Sequence, residues 1–75
     1  MLTDEIREII ADALEITPEE VDVEARLEDL MADELSLTDI ASSLEDQYSI
    51  EISEEALDSF KTVEDVISFV EANLD

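Results

Sequence analysis

Apolar residues recur at helical spacing in three stretches of this 75-residue chain. The spacing predicts helices at about 3–15, 34–48 and 63–73. Ser53 can cap a minor helix over Glu54–Asp58. The positions expected to face the core are Ile6, Ile9, Ile10, Ala13 and Leu14, then Leu37, Ile40, Ala41, Leu44 and Tyr48, and finally Val63, Val66, Ile67, Val70 and Leu74. A long loop at 16–33 joins the first two helices, and loops of that length in compact domains are usually functional.

Polar residues at the expected helix starts support these boundaries. Thr3 is placed to cap the first helix, and Thr62 with Asp65 resembles a capping box for the last one. The run Thr17-Pro18-Glu19-Glu20 predicts one short turn inside the long loop. The chain therefore predicts an all-α fold, with residues 1–75 forming a single domain of three main helices, one short helix and a long first loop.

Glycine is absent from the whole sequence. A helix usually ends on a glycine in the left-handed conformation, because glycine adopts it without steric cost. We therefore expect asparagine, aspartate or serine to take that conformation at the helix ends of this chain, or else the ends to fray.

The net charge of −21, from 24 acidic and 3 basic residues, restricts the partners. Nucleic acid and anionic membranes are excluded, because both require basic residues for binding. Basic protein surfaces are favoured, with salt-sensitive association. Crowded acids are expected to raise one another's pKa values in the folded state. No apolar run is long enough to span a membrane, so we expect a cytoplasmic protein. We also expect a monomer.

Five segments of the chain together carry a family pattern: Leu27-Glu28-Asp29-Leu30, Asp33-Glu34-Leu35, Leu44-Glu45-Asp46, Ile50-Glu51-Ile52 and Thr62-Val63-Glu64-Asp65-Val66. In their order and spacing they resemble the acyl carrier protein family. The resemblance covers nearly the whole chain. It implies a helical bundle that carries acyl chains as thioesters of phosphopantetheine and docks on acyl-processing enzymes through its acidic second helix.

Three departures from the family pattern affect the implied function. Glu34 occupies the position of the serine that carries phosphopantetheine, and Met31 occupies that of a glycine three residues earlier. Thr38 and Ser42 stand where the family often has exposed apolar residues. Glu34 lacks the hydroxyl from which a phosphodiester is made, so the resemblance implies a degenerate attachment site.

Ser36 is the alternative attachment residue. Two residues along a helix rotate the side chain by about 200°, so Ser36 would face away from the direction of position 34. Its ordinary interpretation is a solvated serine that helps to cap the helix. A further alternative is that a natural serine at position 34 has been replaced.

Acidic residues in and after the long loop raise the question of a metal site. The candidates are Asp22, Glu24, Asp29, Asp33 and Glu34. Oxygen ligands suit calcium or magnesium, but the spacing is not that of an EF-hand, so we expect no specific metal site. Histidine and cysteine are absent, and no cleft for catalytic carboxylates is predicted; we therefore expect no enzyme activity.

These observations favour a non-enzymatic, carrier-like module of fatty acid or polyketide metabolism that binds basic surfaces of partner enzymes. The residues predicted to dock are Asp33, Leu35, Asp39, Glu45 and Asp46. No cofactor is expected; phosphopantetheine enters only if Ser36, or a serine replaced at position 34, carries it. A third possibility is an acidic decoy or cation-binding protein unrelated to acyl transfer.

Overall fold

The computed structural model describes residues 2–74. Its four α-helices are α1 (Leu2–Leu14), α2 (Glu34–Tyr48), α3 (Glu54–Ser59) and α4 (Val63–Asn73). Two short 3₁₀ helices, Pro18–Glu20 and Leu27–Leu30, lie in the long connection between α1 and α2. The predicted all-α bundle of three main helices and one short helix is confirmed. Helix α1 begins one residue before Thr3, so the prediction that Thr3 caps it was wrong.

The helices share one hydrophobic core that also includes the long loop. Its buried members are Ile6, Ile10, Ala11, Val21, Leu27, Ile40, Leu44, Ile50, Phe60, Val63, Val66, Ile67 and Val70. The prediction that Leu74 faces inward was wrong, because its side chain is 39% exposed. Helix α4 ends at Asn73, and the extended backbone at Leu74 takes it off the apolar face of the helix.

Arg7 fastens the first half of the long loop to α1. Its Nε donates to the carbonyl of Val21 at 2.6 Å, and its Nη2 donates to the carbonyl of Pro18 at 2.9 Å. The side chain of Val21 is fully buried beneath these contacts. The predicted short turn is present, with the backbone N–H of Thr17 donating to the Glu20 carboxylate at 3.0 Å.

The second half of the loop runs antiparallel to the segment that precedes α4. The N–H of Leu27 donates to the carbonyl of Lys61 at 2.9 Å, and the N–H of Val63 donates to that of Ala25 at 3.1 Å. Arg26 and Thr62 form an isolated β-bridge between these bonds. The pairing fixes Arg26 and Lys61 on neighbouring backbone segments although they are far apart in sequence.

Three residues of the described chain adopt the left-handed conformation that glycine would normally supply. They are Glu15, Met31 and Ser49, with φ of 58°, 65° and 55°. The prediction that serine would take this conformation is confirmed at Ser49, the C-cap of α2. It was wrong for Glu15 and Met31, which are not among the residues that tolerate left-handed geometry well.

Candidate functional site

Asp33 caps α2 and defines the geometry of the site. Its Oδ1 accepts a hydrogen bond from the backbone N–H of Ser36 at 2.8 Å. This bond favours the ionised carboxylate and lowers the pKa of Asp33. The expectation of a raised pKa from crowded charges was therefore wrong for Asp33. An ionised cap at this helix start fixes the backbone of residues 33–36.

Glu34 is the first residue of α2, and its side chain is exposed. Its carbonyl accepts the hydroxyl of Thr38 at 2.9 Å. The residue borders a small pocket of about 180 Å³ together with residues of α2 and α3: Leu37, Thr38, Glu54, Leu57 and Asp58. Position 34 therefore presents a carboxylate to solvent at the place where the resemblance puts the attachment serine. A carboxylate cannot form the phosphodiester that a serine hydroxyl forms.

Ser36 is half-buried and lies two residues further along α2. Helical geometry turns its side chain by about 200° from that of Glu34. Its backbone N–H is already bonded to Asp33. Ser36 thus takes part in the capped first turn, and its hydroxyl faces a different side of the helix from position 34.

The outer face of α2 combines two of the predicted docking acids with an apolar residue. Viewed along the helix axis, Leu35, Asp39 and Asp46 fall within about 40° of one another. All three are exposed, and Leu35 has 77% of its surface accessible. We call these three residues the docking ridge. Exposed Thr38 and Ser42 also belong to the outer half of the helix.

Glu45 was predicted to dock, but the structure gives its carboxylate an internal contact. The residue is half-buried, and its Oε2 accepts the backbone N–H of Ile52 at 2.9 Å. It lies about 100° around the helix from Asp46, on the side away from the ridge. Glu45 therefore ties the segment before α3 to α2, a role that its position in the sequence did not indicate.

The end of α2 makes a polar contact with the start of α1. The hydroxyl of Tyr48 donates to Glu5 Oε1 at 3.0 Å, and Gln47 Nε2 donates to the same atom at 3.4 Å. Burial, together with the neighbouring Glu5 carboxylate, raises the pKa of Tyr48 to about 12. The contact lies far from Glu34, at the other end of the helix.

A pocket of about 430 Å³ opens between the long loop, α2 and the segment before α4. Its apolar lining consists of Leu27, Ala32, Leu37 and Phe60. Its charged lining consists of Arg26, Glu28 and Lys61. The sequence did not reveal this pocket, because the pairing of the Leu27 and Lys61 segments carries no local signal.

The acids considered for cation binding do not form a cluster. Within residues 2–74, no group of three or more acidic side chains is arranged to hold a metal ion. Over the same residues, no helix is long and apolar enough to cross a membrane. The bundle therefore offers two features for function, the exposed start and ridge of α2 and the pocket beside them.

Comparison with known proteins identifies the family of the chain. Residues 4–70 match the family model described as a phosphopantetheine attachment site. The chain is 41% identical over 71 residues to an acyl carrier protein of Chlamydia trachomatis serovar L2, covering 93% of this chain and 92% of that protein. It is 38% identical over 71 residues to the acyl carrier protein of Wolinella succinogenes, covering 93% of each.

The chain therefore belongs to the acyl carrier protein family, as the resemblance of its central segments predicted. Members of this family carry acyl groups and do not catalyse their conversion. The prediction that this chain is not an enzyme is confirmed by that membership. The family normally carries phosphopantetheine.

Proposed function

We propose that this protein is a carrier-like docking module of acyl metabolism that bears no phosphopantetheine at position 34. The observation that carries the proposal is the exposed carboxylate of Glu34 at the first residue of α2. Attachment of the cofactor requires an oxygen nucleophile that becomes a phosphodiester. A carboxylate in its place would form an acyl phosphate, which hydrolyses readily, so the position does not support a stable prosthetic group.

The docking part of the proposal rests on the outer face of α2. Asp39 and Asp46 place two negative charges beside exposed Leu35, without internal ion pairs among residues 2–74. Acids around an apolar contact suit a partner whose basic surface surrounds an apolar pocket. Asp33 and Glu34 extend the negative charge to the helix start, whereas the Glu45 carboxylate bonded to Ile52 contributes less.

The negative charge of Glu34 resembles the charge that a loaded carrier has at the same helical position. A loaded carrier has a phosphodiester, and hence a negative charge, at the start of this helix. Glu34 supplies a permanent negative charge at the same helical position, where the helix dipole stabilises an anion. The module would therefore bind acyl-processing enzymes in the cytoplasm as a monomer, without delivering a substrate.

A working carrier is the second candidate, with phosphopantetheine on Ser36 or on a serine that Glu34 has replaced. Family membership favours it, because the matching model is an attachment site. The half-buried position of Ser36 and its rotation from position 34 argue against modification there. The acidic decoy or cation-binding role has less support, since residues 2–74 contain no arranged acidic cluster.

Docking is tested by the association rate with a broad-range phosphopantetheinyl transferase, an enzyme that recognises carriers. In stopped-flow mixing, D39K/D46K should associate more slowly than the parent, with a weaker salt dependence. The matched control is E8K/D12K, which makes the same change of net charge on exposed positions of α1. Equal slowing in both variants would show that net charge, and not the docking ridge, controls association. Absence of binding by the parent would contradict docking.

A further inference from the structure

Two large apolar side chains of the described chain are far more exposed than the others. Met31 has 84% of its surface exposed and Leu35 has 77%, whereas Leu74, the next large apolar residue within residues 2–74, has 39%. Only three residues separate Met31 from Leu35. Their Cα atoms therefore lie at most about 14 Å apart. The most exposed apolar side chains of residues 2–74 are thus concentrated where the long loop meets α2.

Met31 is held in place by backbone hydrogen bonds and not by packing of its side chain. Its N–H donates to the carbonyl of Glu28 at 3.1 Å, and the N–H of Ala32 donates to that of Leu27 at 3.0 Å. These bonds close the turn in which Met31 has a φ of 65°. Its side chain is not among the described residues that form the core or pack against it. The loop therefore fixes the Cβ atom of Met31 and leaves the rest of the side chain in solvent.

Methionine is an unfavourable residue for the backbone conformation at position 31. A residue with a Cβ atom is disfavoured in the left-handed region, whereas glycine adopts it freely. The side chain gives little hydrophobic stabilisation in return, because 84% of its surface remains in water. Residues in unfavourable backbone conformations concentrate at functional sites, and neighbouring exposed apolar residues mark interaction surfaces. Met31 combines both features, which indicates a role in binding.

The charges around Met31 and Leu35 restrict what can cover these two side chains. Asp29, Asp33 and Glu34 are exposed and lie next to them in the sequence. A second copy of the chain would bring another net charge of −21 to this surface, and an anionic membrane would also be repelled. A protein with basic residues around an apolar recess complements both the acids and the apolar side chains.

We infer that Met31 is a partner-contacting residue that determines specificity, and that Met31 and Leu35 insert together into an apolar recess of a basic partner surface. We call these two residues the anchor pair. The inference rests on the proposed docking function and adds to it a contact outside the docking ridge, on the loop before α2. A partner whose surface is polar or closed opposite Met31 would bind this chain less tightly.

Kinetic measurements separate the anchor pair from the acids of the docking ridge. Loss of an apolar contact that is buried only in the complex speeds dissociation, whereas loss of exposed charges slows association. The probe is the broad-range phosphopantetheinyl transferase, which must approach the start of α2 to act on a hydroxyl there. Stopped-flow mixing gives the association rate, and displacement by excess unlabelled parent protein gives the dissociation rate.

Met31→Gln keeps the length of the side chain and makes its end polar. This variant should dissociate from the transferase at least about fivefold faster than the parent, with an association rate within about twofold. Met31→Leu, which remains apolar, should stay within about twofold of the parent in both rates. The matched control is Leu74→Gln, a change from apolar to polar at the third exposed residue, and both of its rates should also stay within about twofold.

Met31→Gly distinguishes a contact with the partner from a structural role. Glycine relieves the unfavourable left-handed backbone, so this variant should be more stable than the parent in urea unfolding. It should nevertheless dissociate from the transferase at least about fivefold faster, because the side chain is absent. A residue with only a structural role would not give a more stable protein that binds its partner more weakly.

The outcomes separate failure of the anchor pair from failure of docking. If Leu35→Gln or D39K/D46K weakens binding while Met31→Gln and Met31→Gly leave the dissociation rate unchanged, docking stands and the role of Met31 is contradicted. Equally faster dissociation of Leu74→Gln would show a general effect of surface hydrophobicity and would also contradict that role. If the parent does not bind the transferase, the proposed docking function fails and the anchor pair fails with it.

Discussion

The hydroxyl of Tyr48 donates a hydrogen bond to the carboxylate of Glu5 at 3.0 Å, joining the end of α2 to the start of α1. The pairing crosses 43 residues of sequence and fixes one end of the helix whose other end carries Glu34. Neutral Tyr48 is the donor, and ionising it would leave two negative oxygens in contact. The contact between the two helices therefore depends on Tyr48 remaining protonated.

The pKa of Tyr48, about 12, gives the first prediction. Tyr48 is the only tyrosine and the chain has no tryptophan, so ultraviolet absorbance reports its ionisation directly. Glu5→Gln should lower this pKa while leaving it above 10.0, because the effect of burial remains. Glu8→Gln, an exposed change on the same helix, is the control. Equal pKa values in the parent and Glu5→Gln would contradict the contact.

The sign of the associated stability follows from the raised pKa. The folded state binds the Tyr48 proton more tightly than the unfolded state does. This contribution to stability is complete below pH 10.0 and is lost as the pH rises towards about 12. Circular dichroism at each pH identifies the range in which the titration belongs to the folded protein.

Substitution of Leu44 tests which face of α2 is turned towards the core. Its side chain is fully buried, so Leu44→Ala should lower the free energy of unfolding by about 2–5 kcal/mol. Leu35→Ala is the same change on the same helix at a side chain that is 77% exposed, and it should alter stability by less than about 0.5 kcal/mol. Urea unfolding measures both. Similar losses in the two variants would show that the helix is rotated from the orientation described here.

Substitution of Met31 tests the left-handed backbone conformation of the residue itself, which precedes α2. Its φ of 65° is unfavourable for a residue with a Cβ atom, and 84% of its surface is exposed. Met31→Gly should therefore stabilise the fold by up to about 1 kcal/mol. Ser43→Gly, at an exposed position inside α2, should instead destabilise it by about 1 kcal/mol. Destabilisation of similar size in both variants would be inconsistent with a left-handed Met31.

Asp65 gives a prediction for how the stability contributed by the α4 cap depends on pH. Its Oδ2 accepts the backbone N–H groups of Lys61 and Thr62, each at 3.0 Å, and the bond from Lys61 is the largest cause of its lowered pKa. The resulting stability is present above the ordinary value of 3.8 and is lost as the pH falls through the lower folded value. This direction is opposite to the one expected from crowding of acids.

The measurement compares thermal melts of the parent and Asp65→Ala across acid pH. The variant should be less stable at neutral pH, and the difference should shrink as the pH falls below 3.8. Glu64→Ala, a neighbouring exposed acid in the first turn of α4, is the control. A difference that stays constant throughout the acid range would contradict a role for the ionised Asp65 cap.

The three main helices were predictable because each carries its own apolar period, and the caps Ser53 and Thr62 marked the starts of α3 and α4. Ile40 and Leu44, for example, identify the inner face of α2 without any long-range information. The surroundings of the predicted docking residues were only partly predictable. The exposure of Asp39 and Asp46 follows from the helix phase, whereas the hydrogen bond from the Ile52 N–H to Glu45 depends on where the chain returns after the helix.

The pocket was not predictable, because its rim depends on long-range pairing. Arg26 and Lys61 are separated by the whole of α2 and α3, and no periodicity connects them. The left-handed Met31 was not predicted, although the glycine that the family pattern places at this position was a signal for it. For the pocket, tertiary structure decides a feature for which the local sequence has no signal.

Intact-mass spectrometry after incubation with coenzyme A and a broad-range phosphopantetheinyl transferase tests the central claim most directly. The parent should gain no mass, because Glu34 offers no hydroxyl at the start of α2. Glu34→Ser should be modified at least in part, since Asp33 and the docking ridge, which includes Leu35, are retained. A mass gain by the parent that disappears in Ser36→Ala would contradict the account and identify Ser36 as the attachment residue.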